Sequence, residues 1–280
     1  MIPIYVVSME KDTDRRLLIE RTFENLGLDF RFINAVVGKL LTNEELSQIN
    51  FSGNLSRKGR APTSGEIGCS LSHQSAYLDI ARHHDWGIIL EDDAIIDERF
   101  KDFYLALHLP DVLNQFKQEN LYLLGGQDGL RHQHLVALSQ WGKVSLGGVT
   151  FSRAIQSNHY IFRTCCYLIS RSMSTRMIEL FANDFYIADE WAHFAKIGII
   201  DGIYLSDFVS HPVELNTSSI EQERLIANAD LDKNQNIAVG KNTDIIKLRI
   251  KDGLKKHFKL HYVKKVYIKI KLFLLSLRFR

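Results

Sequence analysis

Short runs of β-branched and aliphatic residues alternate with stretches of helical periodicity from the first residues to about residue 210. That alternation is the pattern of an α/β domain, and it predicts a mostly parallel central sheet. Ile4-Tyr5-Val6-Val7 reads as a buried first strand. Asp12 to Leu26 reads as a helix, with Leu18, Phe23 and Leu26 near one face and Gly27 placed to stop it. Phe30 to Ala35 reads as a second strand. Thr42-Asn43-Glu44-Glu45 and Thr63-Ser64-Gly65-Glu66 both have capping-box spacing, so each opens a helix. The second of these carries Ile67, Leu71, Leu78 and Ala81 close to one stripe. Residues 52–65 are rich in Ser, Gly, Asn, Lys and Arg and read as a long mobile loop. Further strands are expected at Gly87–Leu90, Leu121–Leu124, Cys165–Ile169 and Ile203–Leu205. Helices are expected at Ser172–Phe181, with Ser172 as its cap, and at Glu190–Ile197. Residues 126–160 lack long apolar runs and read as loops or a small hairpin insertion.

Ligands of open α/β sheets gather at the carboxyl ends of strands. The residues that follow each apolar run therefore matter most. They are Ser8 after the first strand, Glu91-Asp92-Asp93 after the central one, Gly125 to Asp128 after the next, and Asp207 and His211 after the last. Three adjacent carboxylates repel one another, and a divalent cation relieves that cost. Oxygen ligands suit a hard ion, Mg²⁺ or Mn²⁺. Such an ion neutralises a diphosphate, which makes a sugar nucleotide a natural ligand. The plain alternative is a solvated acidic turn. His211 is either a nitrogen ligand to the same ion or a surface histidine at a strand end.

Composition adds an asymmetry. The chain has 280 residues, with 35 Lys+Arg against 33 Asp+Glu and a formal net charge of +2. Residues 241–280 alone hold 13 basic and 2 acidic residues, a net of +11, which leaves 22 basic and 31 acidic residues in 1–240, a net of −9. A uniformly basic nucleic-acid binder is excluded, and no nucleic-acid partner is expected. Three cysteines, two of them adjacent, do not make a disulfide framework; reduced thiols in a cytoplasmic protein are expected. Neither a signal peptide nor a membrane-spanning run is recognisable.

The segments YVVSMEKDTDRR at 5–16, GEIGCSLSH at 65–73, ILEDDAII at 89–96, CCYLISRSM at 165–173 and ADEW at 188–191 occur in this order. Over roughly residues 1–215 they resemble glycosyltransferase family 25, the lipooligosaccharide-biosynthesis glycosyltransferases. The resemblance implies a GT-A type nucleotide-diphospho-sugar transferase fold. It implies a UDP-sugar donor (often UDP-galactose), a Mn²⁺ requirement and inversion at the anomeric carbon. On it, Asp93 is the expected metal ligand with His211, assisted by Glu91 and Asp92, and Glu91 can face the ribose or hold bound water. Arg15 or Arg16 reaches the donor or serves as a helix-face residue. Ser8 lies where backbone approaches the nucleotide. Ser72 and His73 contact the donor or pack locally. Asp189, with Glu190 as second choice, occupies the position of the family's acidic residue before its late helix. There it takes the acceptor proton or merely caps that helix.

Two units follow: a catalytic domain over 1–240 and a basic amphipathic tail over 241–280. In the tail, Leu254, Phe258, Tyr262, Val266, Ile270, Leu274 and Leu277 recur every three or four residues with lysines between. That pattern suits an anionic membrane surface, or a helix packed on the body. The expected protein is a peripheral enzyme on the inner face of the cytoplasmic membrane. It moves a hexose, galactose first, to a lipid-linked lipooligosaccharide acceptor. The rivals are a metal-dependent nucleotidyltransferase or sugar-nucleotide hydrolase, and a non-catalytic binding module.

Overall fold

The computed structural model describes residues 1–212 together with Glu223, Arg224 and Ala227. The amphipathic tail expected over 241–280 and the boundary at 240 lie outside these residues. Within them the chain forms a mixed α/β fold around one eight-stranded sheet. In chain order the strands are β1 (Ile4–Ser8), β2 (Arg31–Asn34), β3 (Trp86–Glu91), β4 (Asn120–Gly125), β5 (Val144–Leu146), β6 (Val149–Arg153), β7 (Cys166–Ser170) and β8 (Gly202–Val209). The helices are α1 (Thr13–Leu26), α2 (Asn43–Ser47), α3 (Ser52–Lys58), α4 (Ser64–His83), α5 (Glu98–Ala106), α6 (Arg171–Asn183) and α7 (Trp191–Lys196). The spatial strand order is β2-β1-β3-β7-β4-β8-β6-β5.

The sheet is mixed, which corrects the mostly parallel expectation. β1 pairs in parallel with β2 and β3, and β4 with β8. But β7 runs antiparallel between β3 and β4, and β6 runs antiparallel to both β8 and β5. A parallel return needs a crossover, usually a helix. The stretch between β4 and β7 holds a hairpin and 3₁₀ turns instead of an α-helix. The chain therefore re-enters the sheet from the end at which it left. The hairpin of β5 and β6 fits the insertion expected at 126–160.

Strand residues alternate between two cores, as a sheet covered on both faces requires. Ile4, Val6, Ile88, Leu90, Tyr122, Leu124 and Leu168 face α1 and α5. Tyr5, Val7, Ile89, Leu121, Leu123, Tyr167 and Ile169 face α4, α6 and α7. Continuing the alternation past Ile89 turns Glu91 toward the α4 side.

Both capping boxes form, at Thr42/Glu45 and Thr63/Glu66, and Gly27 ends α1 with φ 64°. Other local expectations change. Residues 52–58 are the helix α3 rather than loop, and Ser170 rather than Ser172 caps α6 by accepting from the Met173 N–H. Leu18 is exposed, and Ile19 takes its place in the buried stripe of α1. Leu78 is also exposed; Ile67, Ala76, Tyr77 and Ile80 form the buried stripe of α4. Asp207 lies inside β8, not after it.

Gly68 lets the segment after β2 cross α4 at close range. A Cβ there would sit 2.3 Å from the Val36 carbonyl oxygen and 2.9 Å from the Gly38 nitrogen. Backbone cannot yield as a flexible side chain does, so Gly68→Ala is overpacked. The expected loss is about 1–3 kcal/mol in urea denaturation, with the m-value unchanged.

Candidate functional site

The ends of β1 and β3 and the start of antiparallel β7 open onto one cleft of about 1070 Å³. Ser8, Arg15, Ser72, His73, Glu91, Asp92, Asp93, Asp189 and His211 all line it. The acidic triplet leaves β3 in a turn closed by the Ala94 N–H donating to the Glu91 carbonyl at 3.1 Å. Each of its carboxylates meets a different set of partners.

Asp92 is buried and anchored. It accepts from Ser8 Oγ at 2.7 Å and from Arg15 Nη1 at 2.9 Å. Burial pushes its carboxyl above the usual range, and the bonds from Ser8 and Arg15 offset that only in part. Asp93 faces His211, with 3.5 Å between Oδ2 and Nε2. A reciprocal backbone pair between Ile95 and Ser210 sets that approach, clamping the chain after β8 to the acidic turn. His211 Nδ1 donates to the Pro212 carbonyl at 2.7 Å, which leaves Nε2 directed at Asp93. Glu91 accepts from the Thr164 hydroxyl and lies 3.6 Å from His73 Nε2.

Glu91, Asp93 and His211 bring three donor atoms within 4.8 Å of one another. Asp93 Oδ1 is buried and has no hydrogen-bond partner among the described residues. Two carboxylates and one imidazole suit Mn²⁺ or Mg²⁺, and a cation would satisfy the orphaned oxygen. The residues present therefore fit a hard divalent ion.

Asp189 lines the same cleft as the triplet. It accepts from the Arg163 backbone N–H at 3.2 Å and from Arg224 Nη2 at 3.3 Å. Arg163 is held in a left-handed conformation, φ 65°. Its guanidinium donates to the Gly126 and Asp128 carbonyls, and its own carbonyl accepts from Trp191 Nε1 at 2.9 Å. A non-glycine residue is costly there, and these bonds fix it.

Two expected site residues are not brought to the cleft. Arg16 donates to the Ser8 carbonyl and to Asn34, and its guanidinium lies 4.5 Å over the Phe32 ring. It ties β1 to β2. Glu190 is buried, accepts from the Ile187 N–H at 3.0 Å, and pairs with Lys58 at 3.1 Å and Arg57 at 3.5 Å. Ser72 does line the cleft, but its hydroxyl is committed to the Gly68 carbonyl and the Val36 N–H. Arg163, Thr164, Cys69, Lys39 and Arg224 also line the cleft and were not singled out from sequence as site residues. Arg163 and Thr164 were hidden because they precede a strand and enter the site only if that strand runs antiparallel. Their signal was adjacency to the Cys165-Cys166 run.

The fold and cleft define a mixed α/β protein that gathers carboxylates, imidazoles and basic side chains at one set of strand ends. The model of glycosyltransferase family 25, described as an LPS biosynthesis protein, matches residues 1–191, and the chain belongs to that family. Procollagen galactosyltransferase 1-B of Xenopus laevis is 31% identical over 103 residues, covering 35% of this chain and 17% of that protein. A glycosyltransferase 25 family member of Aedes aegypti is 34% identical over 103 residues, with the same coverage. Procollagen galactosyltransferase 2 of Homo sapiens is 30% identical over 109 residues, 37% of this chain and 17% of that protein. The matched segments thus span about a sixth of these relatives. A solved glycosyltransferase involved in glycosylation of the major capsid of PBCV-1 aligns with TM-score 0.37 and 12% identity, covering 80% of this chain and 97% of that one.

The Asp93–His211 pair gives the site a pH signature. Burial pushes the Asp93 carboxyl up, but His211 and Arg15 outweigh it and hold it below its ordinary 3.8. Burial pushes His211 down, but Asp93 outweighs it and holds it above its ordinary 6.5. The aspartate contribution is present above 3.8 and is lost as pH falls through its lowered value. The histidine contribution is present below 6.5 and is lost as pH rises through its raised value. In chelator-treated protein, His211→Asn should therefore lose most stability between about pH 4 and 6.5, and progressively less as pH rises through the raised value of His211, read by urea denaturation.

Proposed function

We propose that the chain is an inverting, metal-dependent glycosyltransferase of GT-A type. It moves a hexose, galactose first, from a UDP-sugar to the saccharide of a lipooligosaccharide. The observation that carries this reading is that the Glu91–Asp93–His211 donor set and the Asp189 carboxylate line one cleft. The galactosyltransferase names among the relatives support the hexose, and the family's LPS description supports the acceptor.

In this reading Asp93 and His211, with Glu91, would hold Mn²⁺, which would supply positive charge to a diphosphate leaving group. Arg15 is fixed by Asp92 and contributes a guanidinium at the same wall. Asp189 takes the proton of the acceptor hydroxyl as its oxygen attacks the anomeric carbon. The C–O bond to the nucleoside diphosphate breaks on the opposite face, which inverts the centre. The Arg163 N–H and Arg224 orient the Asp189 carboxylate. Each of its oxygens accepts one of these bonds and keeps a second lone pair for the acceptor.

Asp189→Asn should lower kcat by about 10²–10⁴-fold with little change in donor affinity. Asp93→Ala should abolish transfer and Mn²⁺-dependent thermal stabilisation by UDP-galactose, with far-UV circular dichroism unchanged. Full transfer by Asp93→Ala would remove the metal assignment.

The basic tail over 241–280 belongs to the same proposal, as the element that holds a cytoplasmic enzyme against anionic lipid. Each basic residue near such a surface adds about 1 kcal/mol at low screening. A chain ending at residue 240 should lose cosedimentation with phosphatidylglycerol vesicles and retain transfer to a lipid-free acceptor. Unchanged vesicle binding would assign the tail to the protein body.

A further inference from the structure

Cys69 and His73 stand four residues apart on α4, and so on one face of it, turned toward the end of β3. The Cys69 sulfur, a His73 ring nitrogen and a Glu91 carboxylate oxygen lie within 4.8 Å of one another. His73 is 1% exposed and its ring is fixed from behind. Nδ1 meets the Tyr167 hydroxyl at 2.7 Å, and that hydroxyl meets Tyr77 at 2.8 Å. Nε2 points the other way, toward Glu91. It is buried and has no hydrogen-bond partner among the described residues. A buried imidazole nitrogen 3.6 Å from a carboxylate, with no hydrogen-bond partner among the described residues and a thiol close to both side chains, is a donor suited to a cation.

We propose that Cys69, His73 and Glu91 form a second cation site, adjoining Glu91–Asp93–His211 and sharing Glu91 with it, selective for a borderline-soft divalent ion of the Zn²⁺ type. The donor chemistry sets the selectivity. One sulfur, one nitrogen and one oxygen suit Zn²⁺, with a fourth position open to the cleft, whereas the neighbouring set has two carboxylates and suits hard ions. On binding, the Cys69 thiol gives its proton to solvent. His73 adopts the tautomer in which Nδ1–H donates to Tyr167, and the Tyr167 hydroxyl donates to Tyr77, leaving the Nε2 lone pair for the ion. Glu91 belongs to both sets, so an ion here draws on a donor of the hard-ion site.

Titration of the metal-free full chain with Co²⁺ tests this without transfer activity. The wild-type protein should show a near-ultraviolet thiolate-to-cobalt charge-transfer band. Zn²⁺ should bleach it and equimolar Mn²⁺ should not. Asp93→Ala should keep the band, which separates this site from the proposed catalytic one, and Cys69→Ser should lose it. His73→Gln should weaken Zn²⁺ by more than the roughly tenfold lost when an outer partner of a ligand is removed. Where Cys69→Ser fails to fold, Zn²⁺ should slow iodoacetamide labelling of Cys69 in the wild-type chain, mapped by mass spectrometry. Absence of the band from natively folded wild-type protein, its survival in folded Cys69→Ser, or labelling indifferent to Zn²⁺ overturns the proposal.

Discussion

Three consecutive carboxylates at the end of a buried strand carry a desolvation and repulsion cost, and much of the molecule is arranged around it. Asp92 is neutralised from within the fold by Arg15 on α1 and by the Ser8 hydroxyl at the end of β1. That single pairing docks the first helix against the central strand. It also fixes which of the three groups is structural. With Asp92 committed, Glu91 and Asp93 face the cleft with fewer partners, and one Asp93 oxygen has no hydrogen-bond partner among the described residues. Opposite charges at short range favour ionised forms, whereas burial opposes them. The balance falls differently at adjacent residues: Asp92 is raised and Asp93 lowered. A repeated acidic sequence thus becomes an anchor and a donor set.

The antiparallel β7 determines what meets that donor set. Its first residue follows Arg163, Thr164 and Cys165, and the Cys165 carbonyl accepts from the Glu91 N–H at 2.9 Å. A parallel strand in the same place would have put its carboxyl end, near Arg171, beside Glu91. The reversal instead delivers a hydroxyl to Glu91 and a backbone N–H to Asp189. Arg163 bonds to the 126–128 segment, to Asp189 and to the indole of α7, so it couples the insertion to the loop that carries Asp189.

The parts legible in sequence are those governed by local rules. Capping boxes, a left-handed glycine after α1, apolar strand runs and the strand-end rule all act within a few residues, and they located Ser8, the acidic triplet and His211. Strand direction is a long-range property and was misread, because strand–helix alternation breaks between β4 and β7. Helix α3 was obscured by its composition: Ser52, Gly53 and Asn54 are poor helix formers. Its register is secured from outside. Asp184 accepts from the Gly53 N–H and pairs with Arg57, and Arg57 also donates to the Phe185 carbonyl. Tertiary contacts there outweigh local propensity, and sequence periodicity does not register such contacts.

The same external bonds separate Asp189 from Glu190, which sequence position leaves equivalent. Glu190 turns inward, where Lys58 and Arg57 of α3 meet its buried carboxylate and the Ile187 N–H closes the turn beneath it. A buried carboxylate is tolerable only with such partners, and removing them leaves an uncompensated charge. Glu190 therefore pins the 187–190 loop to α3, and the adjacent side chain is forced to the other side of the backbone, into the cleft. Asp189 in turn meets Arg224, which also pairs with Glu66 at the start of α4. Glu66 closes the capping box and holds Arg60, so one buried acid links the helix start, the loop after α3 and the arginine on the proposed base. The position of Asp189 is consequently a product of two buried acids on either side of it. That dependence gives a short helix of low intrinsic propensity its role beside the cleft: without α3, Glu190 loses both cationic partners, and the loop that carries Asp189 loses its floor.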